Sequence, residues 1–196
     1  MIPQPKAIHQ FHSGSATGDA VTNSMFFIRG ILREFGFLSE IFVEHIGSGL
    51  EDEVMLYQDY SPSPDQFIFV HHSMGHNVED WLLNLPDQKV LIYHNITPEY
   101  FFDCEVTRKY IRLGYSQLAR LKTKVRSVIA DSDYNGEDLR KIGYQEVDVI
   151  PLLFDGTQVS KKPFTPKIAR KRGDTFRLLF LVQLLPHKSP DMLIAL

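Results

Sequence analysis

Cysteine is almost absent from these 196 residues, with Cys104 standing alone. One thiol excludes an internal disulfide framework, a CxxC redox centre and a cysteine-rich zinc site. It fits a reducing compartment, so the chain is expected to be cytoplasmic. Long apolar runs are missing as well. None approaches the roughly 18–20 residues that span a bilayer. The opening MIPQPKAIHQFH has no basic leader before an apolar core, and so does not read as a secretory signal. The familiar nucleotide and metal signatures are also lacking. No GK[ST] follows Gly18, Gly14 and Gly18 stand four apart without a GxGxxG, and HExxH does not occur.

What is present is enough apolar material for a core. Hydrophobic residues make up 43% of the chain, which leaves no case for wholesale disorder. The net charge of −3 hides a division. Residues 1–103 carry 4 Lys/Arg against 14 Asp/Glu, and residues 104–196 carry 17 against 10. A nucleic-acid binder needs a dominant basic footprint, so nucleic acid is not an expected partner. A local anionic partner is still open.

Apolar patterning predicts strands at 6–12, 39–44, 65–73, 87–95, 127–133 and 147–153. Val21, Met25, Ile28, Leu32 and Phe35 recur at alternating spacings of four and three, the buried stripe of a helix that Gly36 can stop. A short helix is expected across YNGEDLRKIGY, ending near Gly143. Strands alternating with helices argue for an α/β domain with a Rossmann-like, mostly parallel sheet over residues 1–154. Residues 155–175 are polar and read as a linker. Residues 176–196 begin a new strand, a turn at Pro186 and a helix. That much structure cannot bury its own apolar surface, so it is expected to open a truncated second domain.

The glycine- and serine-rich stretch after the first strand, SGSATGD, opens directly onto the first helix. Free amides and a positive dipole end at such a place suit an anion, although the glycines can equally serve only a tight turn. Glu44, at the end of the second strand, stands where a ribose-binding acid would sit in a nicotinamide-binding fold, which keeps an NAD-dependent dehydrogenase as an alternative.

Five segments, GDAVTNSMFFIRGILREFG, LIYHNITPEYFF, VIADSDYNGEDLRKIGY, VIPLL and LLPHKSPDMLIAL, occur in the order found in family 4 glycosyltransferases of the GT-B fold, and the chain resembles that family over nearly its whole length. The resemblance implies an N-terminal, acceptor-side domain and the start of the domain that binds the nucleotide-sugar donor. It implies transfer of a hexose from a nucleotide-diphosphate sugar to a glycan or lipid-linked acceptor, with retention and without a required metal or other cofactor. By similarity, Gly18 and Asp19 lie in the cleft near the diphosphate and acceptor. His94, in YHNITP, matches a histidine near the reacting centre, and Lys188, in PHK, matches the lysine that holds the diphosphate. Gln183 stands where relatives carry an arginine. A glutamine can hydrogen-bond a phosphate but brings neither charge nor a guanidinium fork. A non-catalytic binding module of the same fold is therefore a further alternative.

Other residues invite chemistry with less support. His72 and His76, four apart with Glu79 and Asp80 nearby, have a metal-like spacing, but Gly75 interrupts the helix that such a site would need. A loop lining the cleft is the favoured reading. No Ser–His–Asp or Cys–His nucleophile is legible, and Cys104 is expected to be a buried small residue. Residues 105–127 carry seven Lys/Arg and one acid, with Val106, Tyr110, Leu113, Leu118, Leu121 and Val125 along one helical face. This is either the solvated side of a packed helix or a peripheral dock on an anionic inner-membrane surface.

Overall fold

The computed structural model describes residues 6–157. Strands and helices alternate along them: β1 (Ile8–Gly14), α1 (Ala20–Glu34), β2 (Ile41–His45), β3 (Met55–Leu56), β4 (Phe67–His72), α2 (Glu79–Asn84), β5 (Gln88–Tyr93), α3 (Glu105–Leu121), β6 (Val125–Ala130), α4 (Asp133–Ile142) and β7 (Asp148–Val149). All seven strands are parallel and form one sheet in the order β3-β2-β1-β4-β5-β6-β7. This is the Rossmann-like α/β architecture that the alternating pattern predicts. No described helix is long and apolar enough to cross a membrane. Most of the linker from residue 158 and all of residues 176–196, with Gln183 and Lys188, lie outside the described residues.

The order reverses at β1. From there the chain steps to β2 and β3 on one side, and later from β4 through β7 on the other. Right-handed crossovers therefore put α1 on one face of the sheet and α2, α3 and α4 on the opposite face. Side chains follow the twofold period of a strand. Ile68, Val70, Leu91, Tyr93, Val128 and Ala130 join Leu82, Ile111, Leu118 and Leu139 in one buried cluster. Ile41 and Val43 join Met25 of α1 in a second. The intervening Phe69, Ile92 and Ile129 floor an apolar hollow of about 230 Å³, bounded by α1 and by residues 150–153.

Three expectations need correction. Phe35 is 74% exposed, because α1 ends one residue earlier and the helical spacing no longer fixes its direction. On α3 the buried stripe is Ile111, Gly114, Leu118 and Leu121 with Gln117, while Val106 is exposed and Val125 already belongs to β6. Cys104 is exposed rather than buried, since it occupies the N-cap of α3 at the surface. In addition, the sixth predicted strand shrinks to Asp148–Val149, and Pro151 beyond it has no N–H to extend a ladder.

Gly114 is buried because two stretches of backbone meet there. A Cβ on Gly114 would lie 2.8 Å from the Gly75 nitrogen, and one on Gly75 would lie 2.5 Å from the Tyr110 carbonyl oxygen. The Gly75 amide donates to that carbonyl at 3.0 Å. This contact docks the loop after β4 onto α3 and fixes one wall of the crevice described next.

Candidate functional site

Where the strand order reverses, the loops leaving β1 and β4 diverge and open a crevice at the carboxyl ends of the strands, the usual place for a ligand in an open α/β sheet. Here its volume is about 520 Å³, and its lining includes Ser13, Ser15, Asp19, Glu44, Ser73 and Asn77. No lysine or arginine is among the lining residues. The crevice therefore offers hydroxyls, an amide, the imidazoles of His12 and His45 and two carboxylates, a set better suited to a polyhydroxylated ligand than to an anion.

Asp19 shows why. Gly18 takes a left-handed conformation (φ +79°), which turns the chain so that Asp19 becomes the N-cap of α1. One Asp19 carboxylate oxygen accepts from the Thr22 amide at 2.8 Å and from the Thr22 hydroxyl at 3.0 Å, while that hydroxyl accepts from the Ala16 amide at 3.1 Å. The helix end that could receive a phosphate is thus already capped by the chain's own negative charge. Glu44 is likewise engaged, accepting from the Asn77 side chain at 2.8 Å and from its backbone amide at 3.2 Å. A ribose would have to compete for it.

One pair in the crevice was missed by the sequence reasoning. His12 donates from Nδ1 to the Gly14 carbonyl at 2.5 Å, which leaves Nε2 to accept the Ser73 hydroxyl at 2.9 Å. Burial is the main cause that lowers the His12 pKa below the usual imidazole value, opposed by the Gly14 carbonyl. Sixty-one positions separate the two residues, and only the pairing of β1 with β4 brings them together. A serine next to a neutral histidine has the form of a nucleophile and its base. However, the amides of Gly75, His76 and Asn77 beside it are bound to Tyr110, Gln117 and Glu44, leaving none of the three to hold an oxyanion.

His94 lies elsewhere. It follows β5 and lines the apolar hollow rather than the crevice, so it does not share a pocket with Asp19. Its side chain is only 3% exposed, and both ring nitrogens face protein groups. Nε2 is 2.8 Å from Nδ1 of His71, and Nδ1 is 3.4 Å from Asp131 Oδ2. The two imidazole planes lie within 5° of parallel with centroids 5.1 Å apart, the arrangement of an in-plane hydrogen bond. His12, in the crevice lining, feels both places: a charge on His94 lowers its pKa and Asp19 raises it, each less than burial does.

His72 and His76 are buried against α3. His72 Nε2 donates to the Gly114 carbonyl at 3.1 Å, while Gln117 clasps the backbone of His76. Burial, then the charge of His76, pushes the His72 pKa down to about 3. Burial, then His12, pushes His76 down to about 4. Among the described residues no group of three or more His, Cys, Asp or Glu is placed to hold a metal. Along α3, Arg112 bridges Glu99 and Glu105 and Arg120 grips Glu79, while Arg108 donates to the neutral Phe102 carbonyl. Arg108, Lys109, Lys122, Lys124 and Arg126 form no ion pair among the described residues, so five of the seven basic groups keep an unmatched charge.

No protein-family model, curated protein or solved structure matches the chain.

Proposed function

We propose that residues 6–157 form the acceptor-side half of a retaining GT-B glycosyltransferase, and that the crevice at the β1/β4 reversal receives the sugar acceptor. The observation that carries this reading is the lining: serines, Asn77, Asp19 and Glu44 with no lysine or arginine. Hydroxyl-rich ligands are recognised by such acceptors and donors, whereas a leaving diphosphate needs cations. Those cations would come from a second domain, for which Lys188 is the candidate in this sequence and Gln183 its uncharged neighbour. The same division of labour accounts for Asp19 capping α1, since the helix end need not bind phosphate itself.

The test is a titration of the ¹⁵N-labelled chain with neutral oligosaccharides, nucleotide-diphosphate sugars and NAD. Shifts at residues 13–19, 44–47 and 73–77 with oligosaccharide support the reading. Shifts there with NAD alone overturn it in favour of the dehydrogenase. A polypeptide that includes a complete donor domain should transfer sugar from one of a panel of nucleotide sugars, and His94→Ala should remove most of that activity.

A non-catalytic glycan-binding module is the second reading. It is favoured by the engagement of both His94 ring nitrogens within the protein. Glycan binding without turnover in the two-domain polypeptide would select it.

A further inference from the structure

We propose that Gln10 and His71 are positioning residues that fix the tautomer of His94, making Nδ1 the single atom at which that imidazole gains or loses a proton. One line of hydrogen bonds crosses the sheet from α1 to the end of β6, and each direction along it follows from the one before. The Met25 carbonyl can only accept, so Gln10 turns its amide nitrogen there, at 3.0 Å. Gln10 Oε1 is then the atom facing His71 Nε2, also at 3.0 Å, and it too can only accept. His71 Nε2 therefore carries a hydrogen.

His71 is fully enclosed. Burial first, then the charges of His94 and His12, hold its pKa well below the usual imidazole value. Being neutral, with its hydrogen on Nε2, it leaves Nδ1 bare. That bare nitrogen lies 2.8 Å from His94 Nε2, which must supply the hydrogen. The remaining nitrogen of His94 faces Asp131 Oδ2, while the other Asp131 oxygen accepts from Asn135. Neutral His94 thus presents a lone pair towards Asp131, and protonated His94 presents an N–H there as an ion pair.

The titratable groups around His94 are His71 from β4, His12 from β1 and Asp131 after β6. From α1, Ser24 is the only polar residue in the lining of the same hollow. No cation from these elements competes for Asp131 in that lining. A solvated imidazole exchanges between two neutral tautomers, and the hydrogen-bond partner of one nitrogen is what selects between them. Here that partner is a histidine oriented in turn by a glutamine. Sequence reasoning had no means of finding it, because Gln10 and His71 stand far from His94 in the chain and read as ordinary strand residues.

The inference concerns the proton on His94 and holds whether or not the protein transfers sugar. It is tested on the full 196-residue chain labelled with ¹⁵N-histidine, by long-range ¹H–¹⁵N correlation of the His94 ring. Neutral His94 is expected with hydrogen on Nε2 and Nδ1 bare. Gln10→Met removes the acceptor that fixes His71, so the Nδ1–H form of His94 should appear. Neutral wild-type His94 carrying its hydrogen on Nδ1 overturns the inference. So does Gln10→Met with a native amide fingerprint and an unchanged His94 tautomer. If Gln10→Met does not fold, the wild-type spectrum decides alone. No sugar donor or acceptor enters the measurement, so a failed transferase assay leaves this result standing.

Discussion

Asp19 can be asked directly whether its carboxylate serves α1 or a ligand. Its side chain accepts from both the amide and the hydroxyl of Thr22. Replacing an Asp N-cap with Ala costs about 1 kcal/mol, and the charge at the helix dipole contributes about 0.3–1 kcal/mol more. Asp19→Ala should therefore lose about 1–2 kcal/mol. At about 2–4 °C per kcal/mol for a domain of this size, that is a fall of about 2–8 °C in Tm. Asp19→Asn keeps a good capping oxygen and loses only the charge, so it should fall by less than half as much. Urea and thermal unfolding of the three proteins measure both differences. An Asp19→Ala protein as stable as wild type would refute the capping argument. A ligand-only role would show instead as unchanged stability with altered glycan affinity. Removing the charge also opens the helix end, so phosphate should bind Asp19→Ala more tightly than wild type.

Two further outcomes follow from close packing and from buried histidines. Gly114→Ala gains about 1 kcal/mol in helix propensity, but its methyl would meet the Gly75 nitrogen at 2.8 Å and Ile96 Cδ1 at 2.9 Å. Overpacking against backbone costs about 1–3 kcal/mol, so the net should be a loss. Gly30→Ala in α1 meets nothing within 4 Å and should instead gain up to about 1 kcal/mol; chemical denaturation that ranks the two in the opposite order removes the argument. His72 and His76 are neutral in the folded chain, with pKa values near 3 and 4, and each takes up a proton near pH 6.5 once unfolded. The unfolded state then binds more protons between about pH 4 and 6.5, so stability is fully present above that window and falls as pH drops through it. The expected loss is about 2 kcal/mol per histidine between pH 7 and pH 5. His76→Gln should flatten part of that slope, and an unchanged slope would count against it.

Much of the fold was legible because strands buried on both faces leave dense apolar runs. FIFVHH and KVLIY could hardly be anything else, and they became β4, which borders the reversal, and β5 next to it. β3 was not legible: two exposed residues, Met55 and Leu56, make no pattern, and only β2 as a neighbour defines them. The face of α3 was misjudged for a related reason. Its apolar residues alone do not mark it, because Gly114 and Gln117 are buried there by backbone contact and by a clasp on His76. The site divides the same way. Asp19 enters the sequence reading only through the family resemblance, and its role in the fold is to cap α1. His12–Ser73 and Gln10–His71–His94 are pairings across strands, and one chain read in order contains no record of which strands will be neighbours.

The described sheet begins and ends on strands of only two residues, β3 and β7. Each leaves room for few main-chain contacts with an incoming chain, so the described rims give a poor template for strand addition. Crowded copies are thus discouraged from joining rim to rim into fibrils, and what sociability the surface has is left to its side chains.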